Sequence, residues 1–170
     1  MTMPTSSPAS VPAGSDVLID ANILIYGLLR SSAQCVTFLE RCNSEELYGY
    51  TTVEVVNEVC HRLMIYEATA KGLTSRPSAS AVRSLGSRIQ QLTDYWTQTE
   101  RVIAGNFLIM PLDELRVVGA ARLRRAFPLL TNDSLLLAAA DQFGIPALAS
   151  NDTDFAAVPW LQIYRPDDVG

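Results

Sequence analysis

The chain has 170 residues, of which 48% are hydrophobic, and its formal net charge is −5. This length and composition fit one folded domain with a buried core and exclude a wholly disordered chain. No apolar run reaches the roughly 20 residues that a membrane-spanning helix needs, so we expect no membrane association. The acidic balance argues against a broad basic surface. One local basic cluster, which is either a solvated helix face or a phosphate contact, comprises Arg122, Arg124 and Arg125.

The N-terminal residues "MTMPTSSPASVPAGS" are rich in Ser, Pro and Ala and lack the basic and apolar regions of a signal peptide. We therefore predict a disordered tail over residues 1–15 and a single domain over residues 16–170. The three cysteines, Cys35, Cys42 and Cys60, are odd in number and include no CxxC pair. They predict buried free thiols in a reduced compartment, the cytoplasm, rather than disulfides or zinc ligands.

The first predicted elements alternate between strand and helix. The apolar segment Val17–Ile19 predicts a short strand that is buried on both faces. Two helices are expected next, the first from about Ala21 to Leu29 and the second over Ser32–Asn43. A second short strand is predicted over Leu47–Tyr50.

A long helix is predicted in "TTVEVVNEVCHRLMIYEATAKG", where Thr51 or Thr52 caps the first turn and Gly72 ends the helix. Glu54 and Glu58 lie one turn apart on its polar side, together with His61. The predicted apolar face consists of Val53, Val56, Cys60, Leu63 and Met64.

A helical segment is predicted at about residues 74–105, after a Ser/Pro linker. Apolar residues recur there at alternating spacings of three and four from Val82 to Trp96, which predicts one amphipathic helix. Core packing is the ordinary role of such a stripe, and a dimer or partner surface is the alternative.

The remaining segments complete an alternating pattern. We expect a strand in "NFLIMPL", a helix over Asp113–Ala126 and a helix in "TNDSLLLAAADQFG". Thr131 or Asn132 would cap the latter helix, and Gly144 would end it. Two more strands follow, in "IPALAS" and "LQIYRP". This pattern predicts an α/β fold, a three-layer α/β/α sandwich around a central, mostly parallel sheet.

Acidic residues lie close to the predicted strand ends. Asp20 follows the first strand, Asp152 and Asp154 follow "PALAS", and Asp133 opens the helix that leads into that strand. Because parallel sheets bind ligands at the carboxyl ends of their strands, we expect these acids to share one rim. Two carboxylates at about 4 Å repel by roughly 4 kcal/mol at an effective dielectric near 20, so either some are protonated or a cation is bound.

The ligand types narrow the choice of cation. Carboxylates without a Cys/His set favour Mg²⁺ or Mn²⁺ over zinc, and a divalent ion held by acids suits phosphoryl chemistry. Taken singly, Asp133 fits a first-turn acid, Asp152 and Asp154 fit turn formers, and Glu58 fits a solvated face. Asp20 is different, because an acid at the end of a buried strand needs a partner.

The chain resembles PIN-domain ribonucleases, in particular VapC-type toxins of type II toxin–antitoxin systems. The matching segments occur in family order and cover most of Asp16–Tyr164: "VLIDANILIYGLL", "YTTVEVVNEVCHRL", "FLIMPL" and "LLTNDSLLLAAADQFGIPALASNDTDF". The last is the most specific, because it joins an acid that opens an Ala-rich helix to an apolar strand and an Asn-Asp-x-Asp-Phe loop. The resemblance implies a PIN-like fold and a metal-dependent endoribonuclease that hydrolyses RNA phosphodiester bonds with Mg²⁺ or Mn²⁺.

The resemblance also implies the site residues. The catalytic acids would be Asp20, Glu58, Asp133 and Asp152, and the metal ligands would be Asp20, Asp133, Asp152 and Asp154.

Two polar residues and one rival acid complete the implied site. Glu58 matches the family glutamate because it follows Thr52 by six residues, although Glu54 remains a rival. Asn22 would orient Asp20 or a metal-bound water. Ser150 matches the small hydroxyl residue that precedes the loop acid.

The implied partners are an RNA substrate, a small antitoxin protein and a second copy of the chain in a homodimer. The region Thr74–Gly105 is longer than in a minimal toxin of this type, so its partner surface is expected to differ. Three alternatives stay open: a PIN-domain protein of RNA processing, a non-catalytic scaffold that binds RNA or protein, and a haloacid-dehalogenase-like phosphatase. The phosphatase would need a second aspartate where Asn22 stands and a lysine near the site, whereas the single lysine, Lys71, ends a predicted helix.

Overall fold

Five short strands form a fully parallel sheet in the computed structural model, which describes residues 6–169. The strand order is β3-β2-β1-β4-β5. The strands are β1 (Asp16–Ile19), β2 (Tyr48–Thr52), β3 (Phe107–Met110), β4 (Ala147–Ala149) and β5 (Gln162–Tyr164). All five predicted strands are therefore confirmed, with shifts of a few residues at their ends.

Seven α-helices connect these strands within residues 6–169. They are α1 (Ala21–Leu28), α2 (Ala33–Asn43), α3 (Val53–Ala70), α4 (Ala79–Arg83), α5 (Asp94–Ile103), α6 (Glu114–Ala126) and α7 (Thr131–Phe143). The chain runs from β1 through β2 to β3 and then returns past β1 to β4. Because parallel crossovers are right-handed, this reversal places α6 and α7 on the face opposite α1 to α5. The predicted three-layer α/β/α architecture is confirmed.

The centre of the sheet explains why β1 is apolar throughout. Val17, Leu18 and Ile19 are all buried, as expected for a strand with helices on both faces. The connection after β1 leads to β2 on one side and the connection after β4 leads to β5 on the other, so a crevice opens between the carboxyl ends of β1 and β4. This topological switch point is where a ligand site is expected.

Helix ends match the predicted signals in most places. Thr52 caps α3 by accepting the N–H of Val55 at 3.3 Å, and Gly144 ends α7 with a φ of 66°. The predicted cap of α7 is wrong, because Leu130 occupies the cap position and makes no side-chain cap hydrogen bond.

The N-terminal segment is ordered from Ser6 onward, where the backbone pairs with strand β5. Val11 is buried in the core, and the guanidinium of Arg41 donates to the Val11 carbonyl at 2.7 Å. The predicted tail over 1–15 is thus wrong from residue 6, since an apolar side chain and satisfied carbonyls fix the segment. Residues 1–5 lie outside the described part of the chain.

The predicted helical segment over 74–105 is present but broken. It comprises α4, a 3₁₀ turn over Gly86–Gln91 and α5, so the single amphipathic helix from Val82 to Trp96 is wrong. Gly86 adopts a φ of 57°, which interrupts any continuous helix. Val82 and Leu92 are nevertheless buried in a small core with Ala68 of α3, so their predicted core role is confirmed.

The buried face of α3 differs from the predicted one. Val55, Val59 and Leu63 are buried, whereas Val53 is 50% exposed and Cys60 is half-buried. Apolar residues occur around much of this helix, so spacing alone did not identify the face that contacts the sheet and its neighbouring helices.

The cysteines are free thiols, as predicted. Cys35 and Cys42 are buried, and burial raises the pKa of the Cys42 thiol to about 12. Of the helices in residues 6–169, none has both the length and the apolar character needed to cross a membrane.

Candidate metal centre

Asp20 lies at the switch point between β1 and β4. Its backbone N–H donates to the Ala149 carbonyl at 3.0 Å, and its Oδ1 accepts the N–H of Ala21 at 2.6 Å, which caps α1. Its Oδ2 accepts from Asn22 Nδ2 at 2.7 Å and from Ser150 Oγ at 2.6 Å. Three donors from both sides of the crevice therefore fix the orientation of this carboxylate.

The loop after β4 is tied to the same residues. Asn22 Oδ1 accepts the N–H of Asn151 at 2.9 Å, and Ser150 Oγ accepts the N–H of Asp152 at 3.0 Å. Asp152 Oδ1 in turn accepts the N–H of Asp154 at 2.9 Å. Asn22 and Ser150, the two predicted supporting residues, thus connect the Asp20 carboxylate to the loop that carries the other acids.

Three of the predicted metal ligands converge. A carboxylate oxygen from each of Asp133, Asp152 and Asp154 lies within 4.8 Å of the others. Asp133 comes from the first turn of α7, whereas Asp152 and Asp154 come from the loop after β4. This spacing is short enough for one cation to contact all three side chains.

Glu58 lies in a small pocket beside this cluster. Asp20, Glu54 and Asp133 line the same pocket, so both rival glutamates of α3 face the predicted site. Glu58 also makes a partly exposed salt bridge with Arg62, with 3.5 Å between Oε1 and NH1. The other residues that line the pocket are Thr52, Val55, Asn132 and Leu136.

The electrostatics of the site favour a bound cation. Burial raises the pKa of Asp20, as does the charge of Glu58, although hydrogen bonds from Ser150 and other donors oppose the rise. Burial also raises the pKa of Asp133, and the charges of Asp152, Asp20 and Asp154 add to this effect. The acids are thus held together at an electrostatic cost that a cation would offset.

The donor chemistry fits a hard divalent ion. Every candidate ligand is a carboxylate, and oxygen ligands are those that Mg²⁺ and Mn²⁺ prefer. The hydrogen bonds on Asp20 do not prevent ligation, because each carboxylate oxygen carries a further lone pair. The residues present therefore suit Mg²⁺ or Mn²⁺.

Some residues around the site were not predicted from the sequence. Asn151 Nδ2 donates to the Tyr26 hydroxyl at 3.3 Å and so anchors the acidic loop to α1. Asn151 could have been predicted as a site residue because it precedes Asp152 in the loop motif. Asn132, which lines the pocket, could have been predicted in the same way because it precedes Asp133. Arg116, which contacts Glu54, had no such signal.

The sequence model of the PIN domain family matches residues 17–161, and the chain belongs to this family. The resemblance inferred from the sequence motifs is therefore confirmed. PIN domains are generally nucleases, which agrees with an acidic site at the switch point of the sheet and favours nuclease chemistry over the phosphatase alternative.

Solved structures share the fold. One is the crystal structure of VapBC2 from Rickettsia felis bound to a DNA fragment from the VapBC2 promoter. A chain in it gives a TM-score of 0.60 at 14% identity, over 89% of this chain and 99% of that chain. A chain in a toxin–antitoxin complex from Klebsiella pneumoniae gives a TM-score of 0.53 at 19% identity, over 85% of this chain and 94% of that chain. Among curated protein sequences, none matches.

Proposed function

We propose that the protein is a divalent-metal-dependent endoribonuclease that hydrolyses RNA phosphodiester bonds. The observation that carries this proposal is the convergence of Asp133, Asp152 and Asp154 beside the rigidly held Asp20. Membership of the PIN domain family supports nuclease chemistry at that position.

In this proposal Asp20, Asp133, Asp152 and Asp154 would hold Mg²⁺ or Mn²⁺, which would supply positive charge for activating water and neutralising phosphate oxygens. Glu58 lies in the pocket with Asp20 and Asp133, where its carboxylate can accept a hydrogen bond from a water molecule.

Asn22 and Ser150 act on the proposed chemistry through Asp20. Their donors fix the Oδ2 atom, so the carboxylate does not need to reorganise when the ion binds. Ser150 has a second role, because its hydroxyl also accepts the N–H of Asp152 and so sets the start of the acidic loop.

The local basic cluster on α6 supports a phosphate-bearing substrate. Arg124 NH1 donates to Ser134 Oγ at 2.7 Å, and Ser134 is the neighbour of Asp133 in α7. Arg124 of the cluster is thus tied to the helix that carries Asp133, and its exposed guanidinium can contact an RNA phosphate. The protein can be acidic overall and still present positive charge on α6.

Cleavage of a mixed RNA pool tests the proposal. With Mn²⁺ or Mg²⁺ present, the wild-type protein should cleave and Asp20→Asn should be at least about 100-fold slower, because a metal-holding carboxylate is lost. Asparagine is a good helix cap, so α1 should be preserved. Glu40→Gln, at an exposed position on α2, is the matched control and should cleave like the wild type. Equal cleavage by wild type and Asp20→Asn would overturn the assignment.

We further propose that this nuclease is a toxin that pairs with a small antitoxin, and that it forms a homodimer in the cytoplasm. The sequence resemblance to VapC-type toxins supports this role, and chains from two toxin–antitoxin assemblies share the fold. A small neighbouring gene that encodes a DNA-binding antitoxin would favour the toxin over a protein of RNA processing.

A further inference from the structure

The stretch of chain between Glu67 and Asp94 carries charge of one sign only. It contains no Asp or Glu, although the chain has 18 of them, and its cations are Lys71, Arg76, Arg83 and Arg88. The net charge of the whole chain is −5, so this stretch departs from the rest of the protein. Positive potential accumulates where no acidic neighbour cancels it.

The three arginines of this stretch have no counter-charge in the protein. Lys71 is neutralised, because its Nζ lies 2.6 Å from Glu67 and 3.1 Å from Asp94. The three arginines are all exposed, and none of their guanidiniums forms a salt bridge or a hydrogen bond with another described residue. Together they form a surface, here called the arginine surface, whose N–H donors are free to bind a ligand.

The arginine surface is fixed to the fold and does not belong to a free loop. Val82 and Leu92 are buried in a small core with Ala68 of α3. Leu85 and Ile89 pack against the same core. The apolar side chains of the stretch therefore face α3, and the arginines lie on its solvent side. A ligand does not have to order this segment when it binds, which lowers the cost of binding.

The exposed side chains around the arginines are small and polar. They include Ser80, Ser84, Ser87 and Gln90. Arginine, serine and glutamine side chains contact phosphate and sugar oxygens in nucleic-acid complexes. A stable protein interface has an apolar core, but none of the large exposed apolar side chains of residues 6–169 lies between Glu67 and Asp94. The composition of the surface thus favours a nucleic acid over a protein partner.

Helix α3 separates the arginine surface from the acidic site. Glu54 and Glu58, near the start of α3, line the pocket that contains Asp20, whereas the arginine stretch follows the end of α3 at Ala70. The helix has 18 residues, so at 1.5 Å per residue its ends are about 27 Å apart. A stacked strand covers this distance in about eight nucleotides at roughly 3.4 Å each. A polymer can reach both places, whereas a mononucleotide or a small anion cannot.

Resting on the nuclease function proposed above, we propose that the arginine surface binds the phosphate backbone of an RNA whose cleaved bond lies in the acidic site. The contact is electrostatic and independent of base sequence, because it is made to phosphates. It raises the affinity for RNA that is long enough to reach from the acidic site past the end of α3. The protein thereby gains affinity for a polyanion despite its negative net charge.

A triple variant that combines Arg76→Gln, Arg83→Gln and Arg88→Gln tests the proposal. Binding of a single-stranded RNA of about 20 nucleotides to the metal-free protein is measured by fluorescence anisotropy over a range of salt concentrations. Affinity should fall at least about 10-fold. The slope of log K against log salt should become shallower by about 2, because each lost phosphate contact on a single strand contributes about 0.7. The unfolding temperature should not change, because the arginines are exposed and unpaired.

The controls separate charge, position and RNA length. The corresponding triple lysine variant keeps the charge and should bind within about 3-fold of the wild type. Arg101→Gln, at an exposed position on α5, is the single-charge control for Arg88→Gln and should bind like the wild type. A trinucleotide is too short to reach both places, so the wild type and the triple glutamine variant should bind it equally. With Mn²⁺ present, the triple glutamine variant should raise KM for the long RNA at least about 10-fold and change kcat less than about 2-fold.

Wild-type affinity and salt slope in the triple glutamine variant would overturn the inference. Tighter binding of polyglutamate than of RNA to the wild type would also overturn it, because the surface would then fit an acidic protein. The outcome is distinguishable from failure of the proposed function. If the wild type cleaves RNA and the triple glutamine variant matches it in affinity and KM, the nuclease assignment stands and the arginine surface falls. If RNA binds through these arginines but is not cleaved with Mn²⁺, the surface stands and the nuclease assignment falls.

Discussion

Glu67 near the end of α3 and Asp20 at the start of α1 are both enclosed carboxylates, but their surroundings are opposite. Glu67 accepts from Lys71 Nζ at 2.6 Å and from the backbone N–H groups of Thr93 and Tyr95 at 2.9 and 2.8 Å. Burial alone would raise the pKa of Glu67, but these donors outweigh it and the pKa lies below its usual value. The carboxylate thus joins α3 to the first turn of α5.

Asp20 also accepts three hydrogen bonds, yet burial and the charge of Glu58 leave its pKa raised. The difference is the counter-charge: Glu67 has Lys71 beside it, whereas Asp20 and Asp133 are surrounded by other acids. The negative charge of Glu67 is thus balanced within the protein. The negative charges of the acidic rim, which consists of Asp20, Asp133, Asp152 and Asp154, are not balanced. This is expected where function requires a bound ion at some cost in stability.

The largest expected effect on folding comes from Glu67→Gln. Glutamine removes the negative charge and keeps one acceptor oxygen, so one of the two backbone N–H groups at the start of α5 loses its partner. We expect the free energy of unfolding to fall by about 2 kcal/mol, measured by urea denaturation.

RNA cleavage by Glu67→Gln below its unfolding temperature should remain at the wild-type level, because the residue lies outside the acidic site. Glu40→Gln, which removes an exposed charge, should stay within about 0.5 kcal/mol of wild type. A stable Glu67→Gln variant with impaired cleavage would reverse the roles assigned to the two regions.

A smaller effect of opposite sign is expected from Asp133→Asn in the metal-free protein. The folded-state pKa of Asp133 is raised above its ordinary value of 3.8, so at neutral pH its ionised form opposes folding. Asp133→Asn should therefore increase the free energy of unfolding by about 1 kcal/mol at pH 7. As the pH falls through the raised pKa, the native aspartate takes up a proton and the gain should shrink.

Urea denaturation at pH 7 and at about pH 4 measures this difference. A destabilised Asp133→Asn variant at neutral pH would show that the rim acids contribute to the fold as Glu67 does.

The sequence predicted those features that depend on local chemistry. The strands were found because short apolar runs lie between turn and cap residues, and Asp20 was found because an acid ends such a run. Asn22 and Ser150 were implied by their places in the motifs, and the structure places both against Asp20. The acids meet because every strand of the sheet is parallel, which was also expected.

Features that depend on tertiary packing were harder to predict. The apolar spacing from Val82 to Trp96 correctly predicted that Val82 and Leu92 are buried, and they pack with Ala68 of α3. The spacing did not predict that Gly86 breaks the helix. The pairing of Glu54 with Arg116 joins residues far apart in sequence, and a helical arginine ordinarily lies in solvent. Nothing in its local sequence separates this buried guanidinium from an exposed one.

Calorimetric titration of the metal-free protein with Mn²⁺ shows whether Asp20, Asp133, Asp152 and Asp154 form one cation site. We expect saturable binding to the wild type and at least about 10-fold weaker binding to Asp133→Asn, which removes one member of the converging set. Glu67→Gln, which alters the paired carboxylate instead, should bind like the wild type. Absent binding, or equal binding by the wild type and Asp133→Asn, would show that these acids do not form a cation site.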